Sequence, residues 1–271
     1  MPMAAIALMY HDVIDGGDAD ASGLPGPAAG SYKLSRAMFE AHLDAIAEAA
    51  GAASVGLAGR LGDRANSPAV LLTFDDGGVS AASVVAPLLA NRGWKAYFFV
   101  TTDRVGHPGF LTGDQIVELR AEGHLIGTHS CSHPPRIDRL TWVALTDEWR
   151  RSREALSELL HEEVRVGSVP GGHYSRAVGE AAVASGIETL FTSEPTCKVS
   201  RVSGCTVVGR YHLRSTSSAS TAGALARGDK SRRWAQSAAW AGKRVARALA
   251  GPLYSAVRDR VFSERSDRAG R

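Results

Sequence analysis

Short runs of consecutive apolar residues alternate along this chain with longer segments whose apolar positions recur every three or four residues. The runs at 4–9, 69–74, 95–100, 124–128, 164–169, 187–192 and 205–210 predict strands. Several are continuously apolar, as expected of strands buried on both faces. Between them the period lengthens to that of a helix. Ser35 is placed to cap a helix with Phe39, Leu43 and Ile46 on one face and Gly51 at its end. Residues 79–91 run to Gly93, Thr112 caps a segment ending at Gly123, residues 140–163 are long and charge-rich, and 175–185 stop at Gly186. Residues 15–30, rich in Gly, Pro, Ala and Asp, predict a loop. Strands alternating with helices predict an α/β fold with a parallel sheet: a distorted (β/α)7 barrel with a C-terminal helical extension. An open doubly wound sheet is the rival.

The polar residues at strand ends favour the barrel. Tyr10-His11-Asp12, Asp75-Asp76, His129 and Pro170-Gly171-Gly172-His173 each follow a predicted strand directly. In parallel α/β barrels the C-terminal strand ends gather on one rim, where catalytic groups sit. Asp75 and Asp76 repel each other, and the end of a buried strand is a poor place for both unless a cation compensates. His129 and His133, four apart, can point the same way and share a metal. One carboxylate with two imidazoles makes a three-ligand set that leaves positions open for water and substrate. Taken alone, Asp-Asp-Gly is a common turn and His-x-x-x-His is more often helix surface; their joint placement at strand ends argues otherwise. Cys131 lies between the histidines but is left out of the ligand set. His42, His107, His124 and His161 have no partner pattern and read as structural or surface residues.

Assembled in this way, Thr73-Phe74-Asp75-Asp76-Gly77 and Gly127-Thr128-His129-Ser130-Cys131-Ser132-His133-Pro134 resemble the motifs of the polysaccharide deacetylase family, carbohydrate esterase family 4. Leu8-Met9-Tyr10-His11-Asp12-Val13 and Val169-Pro170-Gly171-Gly172 support the resemblance, which covers roughly residues 4–212. It implies a seven-stranded distorted barrel that hydrolyses acetyl groups from sugars with a divalent metal, usually zinc. By that resemblance Asp76, His129 and His133 are the metal ligands, and Asp75 is the base that takes a proton from the activated water. A backbone N–H in the turn 76–79 is the expected oxyanion donor. Two histidines compete to protonate the leaving amine: His11, in a Tyr-His-Asp motif like that of permuted relatives, is preferred, with His212 in reserve. Pro170, Gly171, Gly172 and His173 are the expected substrate contacts. Two features depart from the family pattern. No arginine precedes Pro170, where one normally orients the base, so Arg165 or Arg210 must substitute or Asp75 is held differently. The tryptophan of the fourth motif is also missing near Thr192-Ser193-Glu194. An O-acetyl esterase, a deformylase, or a catalytically degenerate carbohydrate-binding or membrane-associated scaffold are the alternatives.

Composition narrows the setting. At 271 residues, 44% hydrophobic and 22% charged, the chain can bury one sizeable core. Three cysteines offer no even disulfide framework, and the apolar stretch 3–9 is too short for a signal peptide or a membrane span, so a cytoplasmic protein is expected. The net charge of +3 is uneven: residues 228–271 hold eleven Lys and Arg against four Asp and Glu. We therefore divide the chain into a catalytic barrel at 1–214 and a linker with a basic helical tail at 215–271. Residues 215–220 read as linker, with helices at 231–249 and 253–262. Trp234, Ala238, Ala241, Val245 and Leu249 form an apolar stripe among Arg232, Arg233, Lys243, Arg244 and Arg247. That helix either packs on the barrel or lies on anionic lipid at the inner membrane face through 231–262, which would suit a lipid-linked N-acetylated glycan. No nucleic-acid motif accompanies the basic residues.

Overall fold

In the computed structural model, which describes residues 6–50, 55–57 and 70–242, all seven apolar runs become strands. In chain order the strands are β1 (Ile6–Tyr10), β2 (Val13–Ile14), β3 (Leu34–Ser35), β4 (Val70–Phe74), β5 (Tyr97–Val100) and β6 (Leu125–Thr128). There follow β7 (Val166–Ser168), β8 (Thr189–Phe191), β9 (Val199–Val202), β10 (Cys205–Val208) and β11 (Tyr211–His212). The helices are α1 (Pro27–Gly30), α2 (Arg36–Ala50), α3 (Ala86–Ala90), α4 (Gly113–Ala121), α5 (Trp142–Leu160), α6 (Arg176–Ala184), α7 (Ala219–Ala226) and α8 over 230–242. A wide turn at Ala81–Val85 leads into α3.

Nine strands form one curled sheet in the order β11-β1-β4-β5-β6-β7-β8-β10-β9. Every neighbour pair is parallel except β9 with β10. Among the described residues β11 and β9 do not pair with each other, so the fold is a half-barrel, the distorted (β/α)7 architecture expected. The strand pleat sorts the side chains into two apolar layers. Ala7, Leu71, Tyr97, Phe99, Phe191 and Val208 fill the concave interior. Tyr10, Phe39, Phe74 and Phe98 pack between the sheet and its helices, ring against ring. The same alternation puts Thr73, and Asp75 beyond the strand end, on the concave side with Leu71.

Helix starts follow the sequence signals. Thr112 makes a capping box with Gln115, Thr141 caps α5 and Ser175 caps α6. Gly123 takes φ +93° beyond the end of α4. The polar linker expected at 215–220 instead enters a buried helix. Ser218 caps α7, whose Ala222 and Leu225 are fully buried beside α2. A Cβ on Gly223 would stand 2.9 Å from the Ala45 carbonyl, so the two helices meet backbone to backbone. Residues 243–271, including the rest of the tail stripe, lie outside the described residues. No described helix is long and apolar enough to cross a membrane.

His124 ties the fold to pH. It is fully buried, its Nδ1 accepts the Ala96 N–H at 3.2 Å, and burial, followed by nearby Lys95, pulls its pKa down to about 4. The unfolded chain takes up a proton near 6.5. Stability from the neutral ring is therefore full above that pH and is lost as pH falls from about 6.5 towards 4, by about 3 kcal/mol at most. His124→Asn keeps an acceptor for Ala96 and removes the titration. Its melting-temperature deficit against the wild type should shrink between pH 7.5 and 4.5; a constant deficit would refute the assignment.

Candidate metal centre and active site

β4 ends by delivering two carboxylates into an interior that excludes water. Asp75 is 4% exposed and Asp76 5%. Adjacent residues on an extended chain point to opposite faces, but Asp76 sits at φ 75°, which turns its carboxylate onto the same rim. Gly77 follows at φ 80°, with a Cβ there only 3.3 Å from the Val100 Cα. Of the five described non-glycine residues with positive φ, three are Asp76, Ser130 and His133. Strain of this kind persists where the surroundings over-determine it. Here Glu148 of α5 does so, accepting the N–H groups of Cys131 and Ser132 at 3.0 and 2.9 Å and the Ser132 hydroxyl at 2.7 Å.

The two aspartates are compensated differently. Arg210, which follows β10 and is fully buried, grips Asp75 with both terminal nitrogens at 2.7 Å. Its Nη2 also donates to the Ser168 hydroxyl at 2.7 Å, Nη1 to the Thr73 hydroxyl at 3.1 Å, and Nε to the Thr192 carbonyl at 3.1 Å. Burial alone would raise the Asp75 pKa, but Arg210 and then His129 hold it below the usual carboxylate range. Arg165, the other candidate substitute, pairs with Glu188 at the surface.

Asp76 has no guanidinium. Its Oδ1 lies 3.4 Å from His129 Nε2 and 3.5 Å from His133 Nε2, and ligand atoms of all three residues fall within 4.8 Å of one another. Burial pushes Asp76 up, yet the imidazoles of His129, His11 and His133 bring it well below normal. His129 Nδ1 donates to the Ser168 carbonyl at 3.0 Å, which leaves Nε2 facing the carboxylates. A buried carboxylate flanked by two imidazole nitrogens, with Asp75 already neutralised, calls for one further positive charge. The donor set suits a divalent cation of the zinc type in an open site.

His11 belongs to this rim: Tyr10 pairs with Phe74, so His11 and Asp75 leave adjacent strand ends side by side. Tyr32 packs on the His11 ring at 4.6 Å, and Arg214 in turn lies over Tyr32 and donates to its hydroxyl at 2.6 Å. His212 sits on β11 beside Met9, with its carbonyl bonded by Gln236. Pro170, Gly171 and Gly172 form a tight turn on the same rim, whereas His173 faces Asp138 at 3.9 Å. In the 76–79 turn the Val79 N–H is already spent on the Gly109 carbonyl. The Cys131 thiol donates to Asp103 at 2.9 Å, and burial with that carboxylate raises it to about 11; the converging ligand atoms are those of Asp76, His129 and His133.

Sequence reasoning gave no role to Asp12. It is 2% exposed, and its Oδ1 accepts the hydroxyls of Ser22 and Ser80 at 2.6 and 2.8 Å. A Cβ on Gly78 would fall 1.9 Å from that oxygen, and one on Gly23 1.9 Å from Oδ2. Asp12 thus fastens the 15–30 segment onto the turn that carries Asp76. No local sequence signal marks this role, because Gly23 and Gly78 meet Asp12 only in the fold. If Asp76, His129 and His133 form the metal site, each single alanine variant should lose the one equivalent of zinc bound by the wild type in elemental analysis, while Asp75→Asn should keep it. Full zinc in Asp76→Ala would refute the assignment.

Comparison with known proteins agrees with this geometry. The polysaccharide deacetylase family profile matches residues 62–190. YxkH of Bacillus subtilis (strain 168), named for polysaccharide deacetylases, is 30% identical over 126 residues, 46% of this chain and 45% of its own. A chitin deacetylase of Pestalotiopsis sp is 34% identical over 89 residues, 33% of this chain and 29% of its own. The chain therefore spans less than half the length of these curated relatives. Among solved structures, the Streptococcus pyogenes deacetylase PplD in complex with acetate gives a TM-score of 0.65 at 21% identity, covering 79% of this chain and 94% of that one. IcaB from Ammonifex degensii gives 0.62 at 23%, covering 82% and 97%. The fold agrees over most of the chain, and over its central part, residues 62–190, the sequence is similar to the polysaccharide deacetylase family.

Proposed function

We propose that this protein removes the acetyl group from an N-acetylated sugar within a polysaccharide or a lipid-linked glycan. The observation that carries the reading is the division of labour between adjacent aspartates. Asp75 is pinned and ionised by Arg210, while Asp76 stands among His129 and His133 within 4.8 Å. Relatives named for polysaccharide and chitin deacetylases support the substrate class.

A divalent ion held by Asp76, His129 and His133, zinc by the donor set, would polarise the acetamide carbonyl and lower the pKa of water. Asp75 is the base: Arg210 keeps its carboxylate aimed and deprotonated, and Oδ2, which accepts one hydrogen bond against two at Oδ1, keeps a lone pair for the water's proton. The N–H groups of Gly77 or Gly78 are the backbone donors left to the developing oxyanion once Val79 is spent. An amide nitrogen leaves only when protonated, and we assign that proton to His11, whose ring packs against Tyr32. The Pro170–Gly172 turn borders the sugar. The outer face of α8, with Trp234 71% exposed among Lys230 and Arg232, keeps anionic lipid contact through 231–262 as part of the proposal. Trp234→Ala should then weaken cosedimentation with phosphatidylserine vesicles; unchanged binding would remove the lipid from the proposal.

Zinc-loaded protein should release acetate from N-acetylglucosamine oligomers, and a chelated sample should not. Asp75→Asn should cut kcat by about 10²–10⁴-fold with its zinc retained. Arg210→Gln should also lower kcat, because it leaves the base buried, unpaired and prone to protonation. His11→Ala should damage amide hydrolysis more than hydrolysis of an aryl acetate, whose leaving group needs no proton. A greater loss on His212→Ala would transfer the acid role to that residue. Indifference of turnover to Asp75→Asn would point to a degenerate scaffold.

A further inference from the structure

The rim beside the metal centre has an aromatic residue that comes from far outside the family match. Helix α8 lies against the barrel through one face. Arg233 Nε donates to the Tyr211 hydroxyl at 3.0 Å, Gln236 Nε2 to the His212 carbonyl at 3.0 Å, and the Ser237 hydroxyl to the Pro195 carbonyl at 2.7 Å. The next residue on that face is Trp240, half-buried. Its ring tip reaches the turn after β7: a Cβ on Gly172 would stand 3.0 Å from Trp240 Cη2 and 3.2 Å from the Ser193 Cβ. Gly172 is at φ +67°, so the turn both requires glycine and leaves the space that the indole enters.

The neighbours of that indole belong to the active centre. Gly172 lies four residues beyond Ser168, whose hydroxyl bonds Arg210 and Asp75 and whose carbonyl takes His129 Nδ1. Ser193 follows Thr192, whose carbonyl holds Arg210, and its own hydroxyl contacts Met9. Trp240 therefore stands on the rim over the β7 and β8 ends. On the other side His11 follows β1, with Tyr32, from the segment between α1 and β3, packed on its ring. A pyranose ring has a flat face of C–H groups and an edge of hydroxyls, and a rigid indole beside a polar cluster matches both at little entropic cost.

We propose that Trp240 is the aromatic wall of the cleft and packs against a sugar unit adjacent to the one whose acetyl group meets Asp75. This rests on the deacetylase reading and adds to it a subsite for an oligosaccharide, supplied by the tail helix. Helix α8 is then part of the substrate site rather than an appendage.

The test compares the full-length wild type, Trp240→Ala and Trp240→Phe, with Trp142→Ala, an exposed tryptophan at the start of α5, as a control. Acetate release is measured on N-acetylglucosamine oligomers of one to five units, alongside melting temperatures. Trp240→Ala should raise KM for the tetramer about tenfold, with a loss in kcat/KM that grows with chain length. Phe should restore most of that loss, and Trp142→Ala should match the wild type. An unchanged KM, or an equal loss at every chain length together with a lowered melting temperature, would overturn the subsite. If the wild type releases no acetate, calorimetric binding of the tetramer decides independently. Weakened binding by Trp240→Ala keeps the subsite while the deacetylase reading falls, and no binding by the wild type overturns the subsite as well.

Discussion

The buried guanidinium of Arg210 is the constraint on which the rest of this architecture depends. A fully desolvated charge is tolerated only when it is paired and its donors are satisfied. Here Asp75, Thr73, Ser168 and the Thr192 carbonyl satisfy Arg210 while Phe99 lies under it at 5.6 Å. Those partners come from β4, β7 and the segment beyond β8. In the sheet, β4 and β7 are separated by β5 and β6. One side chain can bridge them only if the sheet curls so that its concave face closes around the ion pair. Curvature and charge compensation are therefore the same requirement, met once.

From that requirement follows the asymmetry of the aspartate pair. Two carboxylates at the end of one buried strand would share a proton if both lacked partners. Arg210 neutralises the first, and the positive φ of Asp76 swings the second away from Arg210 towards His129 and His133. Ser168 links the halves, since its hydroxyl touches Arg210 and Asp75 and its carbonyl fixes His129. A change at Ser168 would disturb Asp75 and His129 together.

What the sequence revealed and what it hid divide along physical lines. Continuous apolar runs mark strands buried on both faces wherever they fall, so all seven were readable, as was the cap at Thr112. The site motifs were readable because the chemistry is local: adjacent carboxylates, and histidines four apart. Arg210 was visible only as one of two candidates, because its partner lies 135 residues away and nothing local marks an arginine as buried. Helix α7 was missed because Ala and Gly carry almost no hydrophobic signal, yet small size is what lets Gly223 approach Ala45. In α8 the apolar stripe is not the face that packs on the barrel. Trp234, the most conspicuous apolar residue, is exposed, and the helix is held by Arg233, Gln236 and Ser237 through hydrogen bonds that hydropathy does not register.

The division between inner and outer parts of the chain bears on how such a site diversifies. Residues 62–190 supply Asp75, Asp76, His129, His133 and Ser168. His11, Asp12, Arg210 and Trp240, which brace, aim or border those groups, all lie outside that span. A guanidinium needs only to reach the concave interior with its five donors satisfied, and the strand that delivers it can change without moving the carboxylate it grips. The same holds for an aromatic wall, which has to stand on the rim but can be carried there by any element that packs beside β7 and β8. The carboxylate and imidazoles have no such latitude, because their mutual spacing is set within one strand end and one strained turn.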